Sequence, residues 1–337
     1  MNVLVDFNHP ADVNFFKNAV KQLAAENHKV VLTYRHRGKL ATILNFELGQ
    51  FNPVCIGTHQ KGFFRKVAGQ LLRDLEFIQF QKKKKIDVSI CLGPTNAIAS
   101  TVNRIPYLAF EDDPEYKITF YHANLFATRH IMPDFIKVSK KNIFKYRGFK
   151  ELAYLHPRYF QPDVKALDKY SLTPAEYVFI REIHNVSLNY KSGSSILDEV
   201  IKKVSDCGFK ILLSLENKEQ KEKYKNNCTI LEEPVTDIYS LIKYAKFTVT
   251  SGDTVARESS LLGTPAIYTG GRAMAVNDEF IDIGILSKLE NLSDIFNRID
   301  MLAKNNLDLN KVIEHKIETE WDDVTQVIIN HVKAFDK

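Results

Sequence analysis

The 337-residue chain has little of what would tie it to metals, disulfides or membranes. Its four cysteines, Cys55, Cys91, Cys207 and Cys228, stand far apart. They form no Cys-x-x-Cys pair, which argues against a zinc ribbon or a disulfide scaffold and reads as reduced core thiols. No stretch approaches the roughly 18 apolar residues of a membrane-spanning helix. The opening Met1-Asn2-Val3-Leu4-Val5-Asp6 has neither the basic start nor the long apolar run of a secretory leader, so a cytoplasmic protein is expected. No Gly-x-Gly-x-x-Gly follows the first apolar run, against a dinucleotide domain of the usual kind. Gly-x-x-x-x-Gly-Lys-Ser/Thr, Gly-x-Ser-x-Gly and His-Glu-x-x-His are all missing. Asp-x-Asp is missing too, so a metal-bridged nucleotide-diphosphate site lacks its carboxylate pair, and neither a metal nor a cofactor is expected.

What is present is the composition of a folded α/β protein. Hydrophobic residues make up 45% and charged residues 26%, with 22 Phe and 14 Tyr, enough bulk for two cores. The net charge of +5 permits acidic ligands or an anionic membrane surface and does not call for nucleic acid. Strand-like runs at 3–7, 29–34, 53–56, 87–92 and 106–110 alternate with helical spacing, as in Val13, Phe16, Ala19, Val20 and Leu23. A second series begins at Tyr177 and runs through strands at 209–215, 229–231, 247–250 and 265–268. This pattern predicts two Rossmann-like parallel-sheet domains facing a cleft. The expected boundaries are 1–160, 161–318 and a C-terminal helix, 319–337, packing back on the first domain. The proline-bearing stretch 148–176 reads as the linker.

The most informative stretch is Val249 to Pro265, which reads as a buried strand, a turn of small polar residues and an amphipathic helix. Backbone N–H groups and the positive end of the helix dipole suit an anion there. Ser251 and Thr254 add hydroxyls around Gly252 and Asp253, and Glu258 lies one helical turn past Thr254, placed to hold a ribose diol. An ordinary capped turn, with Ser251 or Asp253 as the N-cap, accounts for the same residues. Arg181 ends a strand in the same half and offers a planar fork for phosphate oxygens, or a surface salt bridge. Gly270-Gly271-Arg272 lets a donor sugar approach the backbone, or is a plain loop.

In the first half, His9 ends a strand and is either a general base or a helix cap. Asp6 is either a second base or the group that orients His9. Glu111-Asp112-Asp113 ends another strand; Asp112 is the better candidate base and Asp113, before Pro114, the better cap. Asn8, Thr95 and Asn96 are candidates for the acceptor side. The helix 63–85 is basic at both ends, with Phe64, Val67, Leu71, Leu75 and Ile78 as an apolar stripe. It either faces the core or rests on anionic lipid.

The stretches Val3–Asn18, Gly148–Pro157, Tyr159–Asp163 and Ser251–Pro265 together resemble a bacterial and archaeal domain-of-unknown-function family of predicted glycosyltransferases. That family is similar to the two-Rossmann (GT-B) transferases and the UDP-N-acetylglucosamine 2-epimerases. The resemblance implies transfer of a sugar from a UDP-linked donor to a cell-envelope or capsular glycan, with the UDP-sugar as substrate. It also implies a glycan or lipid-linked acceptor, and a place at the inner face of the cytoplasmic membrane. A 2-epimerase and a non-catalytic nucleotide-sugar-binding protein remain as alternatives. The chain departs from its relatives at Asp12 and Asn14, where they often carry histidines, and at Glu182-Ile183-His184-Asn185, where an aromatic-rich segment is expected.

Overall fold

The computed structural model describes all residues except 59–62, 115–116, 182–195, 216–217, 233–234, 236, 273–274, 306 and 337; of 63–68 and 218–220 it describes the backbone alone. The chain forms two compact units, Met1–Tyr159 with Glu320–Lys337, and Phe160–Thr319.

Among the described residues, the first unit is built on a seven-stranded parallel sheet. Its strands are β1 (Asn2–Phe7), β2 (Lys29–His36), β3 (Val54–Thr58), β4 (Val88–Leu92), β5 (Tyr107–Phe110), β6 (Arg129–Pro133) and β7 (Ile143–Tyr146), in the order β3-β2-β1-β4-β5-β6-β7. Val3, Leu4, Val5, Val88 and Ile90 have no exposed surface, as expected of central strands covered by helices on both faces. The order reverses between β1 and β4, so their carboxyl ends flank a switch point, where open α/β sheets bind ligands. There Asp6 is the register partner of Cys91.

The second unit carries a six-stranded parallel sheet: β8 (Tyr177–Arg181), β9 (Lys210–Ser214), β10 (Thr229–Ile230), β11 (Thr248–Thr250), β12 (Ala266–Tyr268) and β13 (Leu286–Lys288). Its order, β10-β9-β8-β11-β12-β13, reverses between β8 and β11, and Arg181 and Thr250 are register partners at that point. The two parallel sheets bear out the expected pair of Rossmann-like α/β domains.

Two sequence readings are corrected. The stretch 148–176 is not a free linker. Phe149, Leu152, Ala153, Tyr154 and Leu155 are buried in the first unit, and Leu167 is buried in the second. Gly148, at φ +93°, has no room for a side chain, because an added Cβ would lie 2.9 Å from Trp321 Cβ. The C-terminal helix does not begin at Thr319, which ends a separate helix, Asn310–Thr319. The last helix is Val324–Lys333, started by Asp323, whose carboxylate accepts from the Gln326 N–H. It packs on the helix Pro10–Ala25 of the first unit.

Candidate functional site

In the second unit the site candidates converge on the turn after β11. The helix Asp253–Leu261 starts there, and its N-cap is Gly252, which brings no side chain to the helix end. The Gly252 N–H itself is held by Thr250 Oγ1 at 2.9 Å. The first helical bond runs from the Ala256 N–H to the Gly252 carbonyl, so the N–H groups of Asp253, Thr254 and Val255 have no intrahelical acceptor. Ser251 to Thr254 are half-buried, whereas Val255 to Ser260 are buried. The turn therefore presents donors at an accessible edge above a packed helix.

Three side chains set its charge. Asp253 pairs with Arg257 at 3.1 Å, and Arg257 has no exposed surface. The Asp253 carboxylate is thus paired with Arg257 and is not the N-cap that the sequence offered, a place that Gly252 takes. Arg257, which holds the Asp253 side chain at the turn, is a residue the sequence reading passed over. Its only signal was the i, i+4 spacing from Asp253. Glu258 is nearly buried and accepts from the Tyr239 hydroxyl at 3.2 Å. Arg181 lies across the switch point, and its guanidinium is 3.5 Å from Ser214 Oγ.

The Gly270-Gly271-Arg272 loop follows β12. A Cβ on Gly270 would fall 2.4 Å from the Tyr268 hydroxyl and 2.5 Å from its ring. The buried Tyr268 ring, the register partner of Thr250, is what needs the missing side chain. The Tyr268 hydroxyl accepts from the Arg272 backbone, and burial raises its pKa. Gly271 is exposed and Arg272 half-buried.

The first unit places its candidates differently. Asp6 has no exposed surface. Its carboxylate accepts from Arg73 at 2.9 and 3.0 Å, Thr33 Oγ1 at 2.9 Å, Asn8 Nδ2 at 3.0 Å and Thr95 Oγ1 at 2.8 Å. So enclosed, it anchors the loops after β1 and β4; it is not a proton shuttle. Asn8 and Thr95 meet at 2.9 Å and are half-buried at the switch point. Asn96, expected beside them, is turned into the core, where its amide donates to Ser89 Oγ at 2.9 Å.

His9 is a helix cap. Its Nδ1 accepts from the Ala11 N–H at 3.2 Å, and the Asp12 carboxylate accepts from the His9 and Asn8 N–H groups at 3.0 and 2.8 Å. Pro10, at the first helical position, has no N–H to satisfy. This helix start is closed, unlike that of the second unit. Desolvation of the ring's inner side, then Arg37 and Lys150, lowers the His9 pKa, so the ring is neutral at pH 7. With Nδ1 accepting, the proton sits on Nε2. Nε2 then offers a donor, where a base needs a lone pair.

The titratable group at this edge is Glu111, directly after β5. Burial and the adjacent Asp112 charge raise its carboxyl to about 8, although the Asp113 and Asp112 N–H groups at 3.2 and 3.3 Å favour the charged form. Asp112 is nearly buried and ion-paired with Lys150 at 2.7 Å. Burial likewise raises Asp12 to about 7. Glu111 stood in the acidic triplet read from the sequence, but the triplet did not show which carboxyl would hold its proton. Among the described residues no cluster of His, Cys, Asp and Glu is placed to hold a metal ion, and no helix is long and apolar enough to cross a membrane. Residues 182–185, where the sequence departs from its relatives, lie outside the described residues.

Two switch points, one per parallel sheet, define a GT-B-like two-Rossmann protein. Solved structures share this architecture over the whole chain. The UDP-N-acetylglucosamine 2-epimerase of Rickettsia bellii superposes with a TM-score of 0.75, at 16% identity, over 100% of this chain and 97% of that one. The UDP-GlcNAc 2-epimerase of Methanocaldococcus jannaschii gives 0.71 at 12% identity, over 99% and 100%. The glycotransferase of kitacinnamycin gives 0.68 at 11% identity, over 99% and 98%. At such identities the likeness concerns the fold alone. In sequence, an uncharacterized protein of Methanocaldococcus jannaschii is 25% identical over 294 residues, 79% of this chain and 81% of the relative. Residues 1–337 match the family described as "Protein of unknown function (DUF354)", and the chain belongs to that family.

Proposed function

We propose that this chain is a metal-independent glycosyltransferase that moves a sugar from a UDP-linked donor to a hydroxyl of a cell-envelope or capsular glycan. The observation that carries the reading is the open helix start at Gly252, set at the switch point of the second sheet beside Arg181. The N–H groups of Asp253 and Thr254, with the Ser251 and Thr254 hydroxyls, receive the diphosphate. Arg181 offsets its charge, and Glu258 accepts from the ribose hydroxyls. In the first unit the ionised form of Glu111, which gains weight as pH approaches 8, takes the acceptor's proton as the acceptor oxygen bonds to the sugar's anomeric carbon. The bond from that carbon to the diphosphate breaks, and UDP leaves with the electron pair. In the same unit His9 is a neutral donor, and Asp112 stays paired with Lys150.

One observation favours a second reading. A carboxyl held near pH 8 also suits proton exchange at carbon, and solved structures with this fold are named as 2-epimerases. UDP-N-acetylglucosamine alone, followed by NMR, separates the two. Transfer predicts slow UDP release with free sugar, accelerated by an acceptor. A 2-epimer accumulating with its UDP intact would replace transfer by epimerisation, and binding without turnover would leave a nucleotide-sugar-binding protein.

A further inference from the structure

The helices Phe63–Lys84, Ala97–Val102 and Lys117–Phe126 follow β3, β4 and β5. Right-handed crossovers place them in one layer, on the sheet face opposite to Pro10–Ala25. They are neighbours: the first packs on the second and the second on the third. His122 of the third lies close enough to Asp74 of the first for their charges to interact. Their inner sides fill the core, Phe77 beside Leu4 and Ile56, and Ala123 beside Cys91 and Ala97. Their outer sides are also apolar. Ile118 is 87% exposed, Leu125 74% and Leu72 63%, with Leu71, Leu75 and Tyr121 exposed alongside.

We propose that a second copy of this chain docks on this face in a two-fold contact. The six side chains expose on the order of 800 Å², more than the roughly 300–600 Å² of a monomer's largest apolar patch and near the ~800 Å² each partner contributes to a standard interface. The face carries an exposed acid, Glu76, on one helix and an exposed base, Lys117, on another, so two copies can match opposite charges across a two-fold axis. A lipid surface fits less well. The exposed run Lys82–Lys85 lies where its helix enters β4, at the amino edge of the sheet. A bilayer held there would face away from Asn8, Thr95 and Glu111, which lie at the carboxyl edge.

Sedimentation velocity of the full chain at micromolar concentration tests the proposal. Wild type should run at twice the chain mass. Ile118→Glu with Leu125→Glu should run as a monomer with an unchanged circular-dichroism spectrum, and Leu72→Ser should shift the equilibrium in the same direction should the double variant misfold. Phe46→Glu, at an exposed position on another helix, should stay dimeric. A monomeric wild type would overturn the proposal, as would a dimer that survives all the face variants. Flotation of a monomeric wild type with anionic phospholipid vesicles would assign the face to lipid instead.

Discussion

One guanidinium nitrogen of Arg73 donates to both carboxylate oxygens of Asp6, at 2.9 and 3.0 Å, and neither side chain has any exposed surface. Arg73 also donates from Nε to the Ile56 carbonyl at 2.8 Å, tying the helix Phe63–Lys84 to the ends of β1 and β3. Gly57, at φ +75°, would bring a Cβ to 3.1 Å from the Arg73 stem, so the arginine lies along bare backbone.

Breaking this pair should be costly. Arg73→Met leaves a buried carboxylate without its cation and should destabilise the chain by about 3–5 kcal/mol in urea denaturation. Asp6→Asn should cost a similar amount. The double variant should recover a clear part of the sum, because no unpaired charge remains. Single losses below about 1 kcal/mol would mean that the pair does not hold the switch point.

The contributions of Asp12 and Glu111 to stability should fall as pH rises from 5 to 8. Asp12 is held near 7 against an ordinary 3.8, and Glu111 near 8 against 4.5. Within those windows the folded chain keeps protons that the unfolded chain has released, so raising the pH favours unfolding. Asn at position 12 still accepts from the Asn8 and His9 N–H groups and has no charge to bury. The melting temperature of Asp12→Asn relative to wild type should therefore climb between pH 5 and 8, and that of Glu111→Gln should climb up to about pH 8. Flat differences would place both carboxyls in solvent-like surroundings.

The two candidate proton carriers predict different kinetics. His9→Ala should cost about 1 kcal/mol of stability through the lost cap and leave the pH–rate profile in place. Glu111→Gln should lower turnover by about 100-fold or more and abolish a rate limb near pH 8. A His9→Ala enzyme that folds normally but loses both its rate and that limb would return the base to His9.

Much of this was legible in the chain itself. The central strands are continuous apolar runs, and Pro10 after His9 marks a helix start that the structure shows. Three strands, β6, β7 and β13, were missed because they read Arg-His-Ile-Met-Pro, Ile-Phe-Lys-Tyr and Leu-Ser-Lys, too short and too polar to stand out. At the site, the turn at 251–254 was visible as a local pattern. Partners distant in sequence were not. Nothing near Asp6 shows that Arg73, 67 residues on, takes up its charge. Nothing near Asn96 shows that it faces Ser89. Gly270 illustrates the ambiguity of glycine, where the missing side chain makes room for Tyr268.

Calorimetric titration of the full chain with UDP tests the central claim, that the open helix start at Gly252 is a nucleotide site. Wild type should bind UDP with unchanged affinity in EDTA. Glu258→Ala should weaken binding roughly 10-fold or more, the scale of one charged hydrogen bond, and Glu258→Gln should weaken it less. Arg181→Met should weaken UDP more than uridine, because it acts on the phosphates. A folded wild type that takes up no UDP, or Glu258→Ala and Arg181→Met variants with wild-type affinity, would contradict the assignment.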